Sequence, residues 1–335
     1  MPKISLRKIL VTSTALLTMA LTNGTALAKP DLKPITVKAK SLEQLHSLVI
    51  HQNGERVFAN AFRGAALNTP VNIKSVSKTI LALLTGIAID RSIIEGPDQR
   101  VLPLLGKDNF GDDRDKLTID HLLTMQSGLK STSGRNYGPW VNSNNWVDFA
   151  LNSPLVNKVG GQFSYSTGDW HILGAALTQA SGYSLHRLAQ DWLGNPLDIV
   201  IPPWVADPQG RYMGGNEMTM SPLGLARIGD MVLNGGKIDG QDVVSPNWLK
   251  TSWQPRGRSP FSNDLYGYGW FLTEYAGQQA VYARGYGGQM LVLVPELQLS
   301  IVIISDPTLP ARSDGHFGDL EQLLESIIET IENGG

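Results

Sequence analysis

The 335-residue chain contains no cysteine. That absence excludes a disulfide framework, a thiolate metal site, a cysteine nucleophile and a lipid-modified amino-terminal cysteine. Strong charge of one sign is also missing: 28 basic and 30 acidic residues leave a formal net charge of −2, with no long run of either. A nucleic-acid groove or a highly charged partner has no electrostatic footprint here. Among His46, His51, His121, His171, His186 and His316 there is no H-E-x-x-H and no close pair at ligand spacing, so each predicts a structural or surface residue, and neither metal nor cofactor is called for. G-x-S-x-G is absent too, with Gly182-Tyr183-Ser184-Leu185-His186 coming nearest, which leaves an α/β-hydrolase elbow unsupported. Repeats and low-complexity segments do not occur.

No apolar run is long enough to span a bilayer, which takes roughly 20 residues. The longest, residues 9–21, follows Lys3, Arg7 and Lys8 and precedes Ala26-Leu27-Ala28. This is the pattern of a secretory signal peptide over residues 1–28, cleaved after Ala28. The reading predicts one mature domain, residues 29–335, in the periplasm or the medium, with no stable membrane anchor after signal removal. With 42% hydrophobic and 17% charged residues, composition is ordinary for a globular protein with a sizeable core.

"SLVIHQNGERVFANAF" places strand-like runs on either side of Asn53-Gly54, a pair suited to a tight hairpin. Near the other end, "YGYGWFLTEYAGQQAVYARGYGGQMLVLVPELQLSIVIISD" predicts three further strands, before an amphipathic helix at about residues 317–331. Segments between them, such as "TIDHLLTMQSGL" and "WHILGAALTQASGYSLHRLAQDWL", have helical spacing with glycine or proline stops. The pattern predicts an α/β fold: an antiparallel sheet built from both termini (roughly 35–80 and 264–335) with flanking helices, and an inserted, mostly helical region (roughly 81–263).

S-x-x-K occurs at Ser5, Ser75 and Ser127. Ser5 lies in the leader and Ser127 runs into a loop, whereas Ser75 opens "SVSKTILALLTGIAID", a long apolar helix. Residues at i and i+3 share a helix face, so Lys78 can stand beside the Ser75 hydroxyl. A serine needs such a base to attack a carbonyl, and burial would lower the lysine pKa to suit. The bland alternative is that Ser75 caps the helix and Lys78 is a solvated surface residue. Two later stretches bear on the choice: "FSYSTGDWHILGAAL", with Tyr165, Ser166 and Thr167 just before a helix, and "ARGYGGQMLVLVP", with glycines at the head of a late strand.

In order and separation these three motifs resemble those of the penicillin-recognising serine hydrolases, over nearly the whole mature chain. The likeness is to the branch holding class C β-lactamases, related esterases, D-amino-acid-releasing peptidases and 6-aminohexanoate-dimer hydrolases. It implies a β-lactamase/transpeptidase-like fold, Ser75 as nucleophile, Lys78 as its base and Tyr165 as the phenol relaying protons to the leaving group. It further implies an oxyanion hole of two backbone N–H groups, from Ser75 and Tyr286.

Two motifs depart from the relatives that hydrolyse β-lactams. Tyr165-Ser166-Thr167 stands where they carry Tyr-Ser/Ala-Asn, and Ala283-Arg284-Gly285 where they carry Lys/His-Thr/Ser-Gly. Thr167, Arg284 and Gly285 are accordingly the expected substrate-binding positions, and the expected partner is a small-molecule ester or amide. The alternatives are a β-lactamase or D-amino-acid peptidase acting on cell-wall-like substrates, and a non-catalytic peptide- or cell-wall-binding protein on the same fold. Asp120-His121 and Trp140, Trp170 and Trp204 predict packing roles over a catalytic pair or an aromatic pocket lining.

Overall fold

The computed structural model describes residues 30–334. The expected leader, residues 1–28, and its cleavage point lie outside the described residues. Among the described residues no helix is long and apolar enough to cross a membrane.

Two strands from the start of the chain, β1 (Leu45–Gln52) and β2 (Glu55–Ala61), share one antiparallel sheet with six from its end. These are β3 (Gly257–Arg258), β4 (Leu265–Tyr266), β5 (Phe271–Tyr275), β6 (Gln278–Gly285), β7 (Gln289–Val294) and β8 (Leu299–Ser305). The order across the sheet is β2-β1-β8-β7-β6-β5-β4-β3. The β1–β2 hairpin turns on Asn53 and Gly54, whose φ angles of 53° and 74° are those a tight hairpin demands. The termini are then joined by β1 against β8, in register from Gln52 opposite Leu299 to Ile50 opposite Ile301 and beyond.

The late stretch holds four long strands where the sequence predicts three. Ala276 and Gly277, at φ 49° and 77°, turn β5 into β6 within what reads as a single run. The sheet also starts at Gly257, before the expected boundary near 264, because β3 and β4 are two-residue edge strands too short to have a pattern.

β7 and β8 are buried along their whole lengths, since helices cover both faces of the sheet. Ser300 of β8 faces helix α4 (Pro222–Leu233), where a Cβ on Gly229 would come 2.1 Å from its Oγ. Ser305, five residues on and so on the opposite face, meets His316 at the start of α5 (His316–Asn333) at 2.9 Å. Helix α1 (Lys33–Ser41) lies beside α5, tied by Lys38 Nζ to Ser326 Oγ at 2.8 Å. Helix α4, from the inserted region, thus covers one face of the sheet.

Helix α2 (Ser77–Asp90) is buried from Ser77 to Ala88, which is why its sequence shows an apolar run and no polar face. Trp248 crosses it closely at Gly86 and donates its Nε1–H to Ala82 O at 3.0 Å. Helix α3 (Thr167–Ser181) is likewise buried over its first eleven residues. The heads of these two apolar helices converge at the end of β6.

Candidate active site

Val71 and Asn72 pair with Met220 and Thr219, and Ile73 N–H donates to Met218 O at 3.0 Å. The chain then makes one tight turn, Lys74–Val76, and enters α2. Lys74 holds φ at 50°, a conformation disfavoured outside glycine, and its amide donates to Asn72 Oδ1 at 2.8 Å. Ser77 braces the turn, donating to Lys74 O and accepting from Met218 N–H at 3.1 Å. Ser75 caps nothing, because neither the turn nor α2 has a side-chain cap.

Lys78 stands one helical turn on, 3% exposed, and its Nζ has three partners. They are Ser75 Oγ at 3.1 Å, Thr167 Oγ1 at 3.4 Å and Gly215 O at 2.8 Å. Burial pushes the Lys78 pKa below its ordinary value, outweighing the upward pull of Tyr165 and Asp169. The Tyr165 ring centroid lies 4.9 Å from Nζ.

Tyr165 and Thr167 are delivered by the loop that enters α3. Residues 131–133 fold back over this entry: Ser131 Oγ donates to Tyr165 O, Thr167 N–H to Ser133 Oγ at 2.9 Å and Gly168 N–H to Thr132 Oγ1 at 2.7 Å. These hydroxyls satisfy N–H groups that a helix start leaves open. Thr167 Oγ1 also meets Ser133 Oγ at 3.1 Å, so the third residue of the motif is turned towards Lys78. One turn further, burial raises the Asp169 carboxyl to about 7, against the opposing effect of the Ser127 and Ser166 hydroxyls and of Lys78. Its Oδ2 has no partner.

The end of β6 closes the site from the other side. A Cβ on Gly285 would lie 2.6 Å from Ile73 O and 3.0 Å from Ser75 N, so only glycine lets the strand come this near the Ser75 turn. Tyr286 follows with its side chain 55% exposed, before Gly287 and Gly288 turn the chain into β7. The Arg284 guanidinium packs against the rings of Phe271 and Phe317, at 5.2 and 5.0 Å, with the Glu321 carboxyl near enough to feel its charge.

Ser75, Tyr165, Thr167, Arg284, Gly285 and Tyr286 line one pocket of about 500 Å³, and Lys78 lies behind Ser75. All the residues singled out from the three motifs thus meet. Phe261, Ala311 and Phe317 form an apolar side, and Tyr137, Asn216, Glu217 and Lys74 a polar one. The polar side went unread in the sequence: Glu217 accepts from Lys74 Nζ at 3.0 Å and Asn72 Nδ2 at 2.5 Å, and Asn216 Nδ2 donates to the Tyr137 hydroxyl at 3.0 Å. Also unread were Ser133 and the pair Gly214-Gly215, although adjacent glycines in "YMGGNEM" are a visible sign of close backbone approach.

Other candidates are occupied elsewhere. Ser127 is buried, and its Oγ accepts from Leu129 N–H at 3.2 Å. Asp120 accepts from the Tyr268 hydroxyl, and His121 closes a capping box with Thr118. Trp140 packs on Trp146 and His171, Trp204 on His186 and Tyr212, and Trp170 is wholly buried, so none of the three lines the pocket.

Comparison with known proteins agrees with this architecture. A family model described as Beta-lactamase matches residues 46–320. An uncharacterized protein of Alkalihalophilus pseudofirmus is 24% identical over 287 residues, spanning 76% of this chain and 81% of that one. A solved structure from Bacillus anthracis, provisionally assigned as a 6-aminohexanoate-dimer hydrolase, superposes with a TM-score of 0.72 at 17% identity, over 87% of this chain and 80% of that one. EstCE1, a hydrolase with promiscuous acyltransferase activity, superposes with a TM-score of 0.70 at 17% identity, over 88% and 97% of the two chains. At such identities the structural likenesses show the fold.

Proposed function

The chain belongs to the beta-lactamase family and is a serine hydrolase, and on that premise we propose that it hydrolyses a small ester or amide through an acyl-enzyme on Ser75. The observation that carries this reading is the contact of a buried Lys78, its pKa lowered, with Ser75 Oγ at 3.1 Å. Neutral Lys78 takes the Ser75 proton as Oγ bonds to the carbonyl carbon. Backbone N–H groups of Ser75 and Tyr286 hold the oxyanion, a contribution typically worth about 10²–10³ in rate per donor. As the bond to the leaving group breaks, the Tyr165 phenol gives that group a proton and recovers one from Lys78. Water then attacks the acyl carbon and yields its proton to the same pair, which returns it to Ser75 Oγ as the acid departs.

An ester or amide, not a β-lactam, is favoured because the pocket has a broad apolar side and because Arg284 is held against two rings near the Glu321 carboxyl. The names of EstCE1 and of the Bacillus anthracis protein lie on the same side. Arg284 does reach the pocket wall, and that favours a second reading, a carboxylate-bearing β-lactam or cell-wall-like substrate. The charged start, apolar run and Ala-x-Ala of residues 1–28 support export to the periplasm or medium.

The test is covalent labelling with a fluorophosphonate followed by peptide mass spectrometry. Ser75 alone should carry the label; labelling should vanish in Ser75→Ala and nearly vanish in folded Lys78→Ala. Label on Ser127, or undiminished label in Ser75→Ala, overturns the reading, and a folded wild type that takes no label favours a binding protein.

A further inference from the structure

Lys78 can serve as a base only if its lone pair, and not an N–H, faces Ser75. A neutral amine has two N–H bonds and one lone pair, so the other two neighbours decide which way it points. Gly215 O at 2.8 Å can only accept, and so takes one N–H. Thr167 Oγ1 at 3.4 Å can take the second while its own proton goes to Ser133 Oγ at 3.1 Å. The lone pair is then left for Ser75. This makes the place of the Gly215 carbonyl a condition of reactivity.

What fixes that carbonyl is a buried pair, His171 on α3 and Asp207. Gly214 N–H, one residue before, points at His171 Nδ1 at 3.2 Å, so Nδ1 is the acceptor and the imidazole proton sits on Nε2. Nε2–H donates to Asp207 Oδ2 at 3.2 Å, and both side chains are wholly buried. Asp207 is itself anchored: Oδ1 accepts the amides of Gln209 and Arg211 at 2.9 and 2.8 Å, and the Arg211 guanidinium lies 3.4 Å from Oδ2. Burial lowers the His171 pKa, which favours the neutral ring. The glycine pair has no slack, since a Cβ on Gly214 would fall 2.2 Å from Trp170 O and one on Gly215 2.9 Å from Lys78 Cγ.

We infer that His171 and Asp207 are positioning residues for Lys78, acting through the Gly214–Gly215 backbone. The inference rests on the reading of Lys78 as the base. His171→Asn presents Oδ1 near the place of Nδ1 and keeps an acceptor for Gly214. His171→Leu removes it. Asp207→Asn offers Nε2 a donor, which drives the ring proton to Nδ1 and against the Gly214 N–H.

The experiment is a double-mutant cycle on the rate of fluorophosphonate labelling and on kcat and KM for p-nitrophenyl butyrate, with rates expressed per folded molecule. His171→Leu and Asp207→Asn should each slow labelling and lower kcat, by as much as about 10²-fold for a base misplaced by an ångström. KM should stay within a few-fold, and His171→Asn should recover most of the rate. In a Lys78→Ala background the same substitutions should add nothing, because the group they place is gone. If His171→Leu does not fold, Asp207→Asn and His171→Asn complete the cycle. Losses that persist undiminished in Lys78→Ala, or that merely track the folded fraction, reject the positioning role alone. A Lys78→Ala protein labelled at the wild-type rate rejects the reading of Lys78 and the positioning role with it.

Discussion

Replacing Asp169 by Asn preserves the shape of the side chain and removes its titration. Burial lifts the folded-state pKa from 3.8 to about 7, so between those values the folded protein holds a proton that the unfolded chain has released. Stability supplied by that proton is complete below the unfolded pKa and is lost as pH rises towards the folded one. At about 1.36 kcal/mol per pKa unit, the rise from 3.8 to about 7 is worth roughly 4 kcal/mol. Asn has its own penalty, since one amide N–H would face the place where Asp169 Oδ2 has no partner, at about 1–3 kcal/mol. That penalty does not vary with pH. Lys78 contributes a slope of opposite sign, because its lowered pKa leaves the unfolded chain binding the extra proton; removing the Asp169 charge, which holds the Lys78 pKa up, steepens that slope in Asp169→Asn and works in the same direction as the gain. Urea unfolding midpoints measured from about pH 4 to pH 8 should therefore show Asp169→Asn the less stable at the acid end, gaining on wild type by roughly 4 kcal/mol towards the alkaline end. Two stability curves that run parallel across this range would refute the account of a buried, reluctantly ionised carboxyl.

Tyr165→Phe should harm amide hydrolysis more than nitrophenyl-ester hydrolysis, because a poor leaving group depends more on the phenol proton; equal, small losses in kcat/KM would assign Tyr165 to packing. Gly285→Ala should depress acylation while leaving the fold, since the new Cβ, 2.6 Å from Ile73 O and 3.0 Å from Ser75 N, forces β6 away from the oxyanion site; unchanged labelling would show that the strand end is not part of it. Nitrocefin should be turned over with a kcat/KM roughly 10²–10⁴ below that for p-nitrophenyl butyrate, two lost polar contacts being worth about 1–3 kcal/mol each. Arg284→Ala should change neither value more than a few-fold, and a selective collapse with nitrocefin would instead make Arg284 a carboxylate anchor. Intact mass of exported protein should place Lys29 first, and a mature chain that still begins at Met1 would overturn the export proposal.

Most of the sheet was legible because its strands carry a message in residue type. Asn53-Gly54 announces a hairpin, and "QMLVLV" and "LSIVIIS" are the apolar runs of strands covered on both faces. Where residue type is silent the pattern fails. β3 and β4 are two residues each, and the turn between β5 and β6 is only Ala276-Gly277, short enough to be passed over in counting the strands. The layer that a helix joins is silent in the same way. Helical spacing in "SPLGLARIGDMVLNGG" shows that α4 has an apolar face, not which layer that face meets.

At the candidate site, the residues readable from sequence are those proposed to act through their side chains, Ser75, Lys78 and Tyr165. Two of the residues that escaped, Gly214 and Gly215, contribute only backbone atoms, and every non-proline residue has the same carbonyl and the same amide. Gly215 contributes only an oxygen to Lys78, Gly214 only an N–H to His171, and the glycine pair signals a close backbone approach without naming what it approaches. His171 and Asp207 lie 36 residues apart, and nothing along the chain relates them. The sequence reading of His171 as a structural or surface residue undersells a ring whose tautomer is fixed on one side by the Asp207 carboxylate and on the other by the Gly214 N–H. A buried histidine with both nitrogens engaged is rigid by construction. When one of those engagements lies one residue from the carbonyl that accepts from Lys78, the rigidity of the core and the aim of the lysine become the same property.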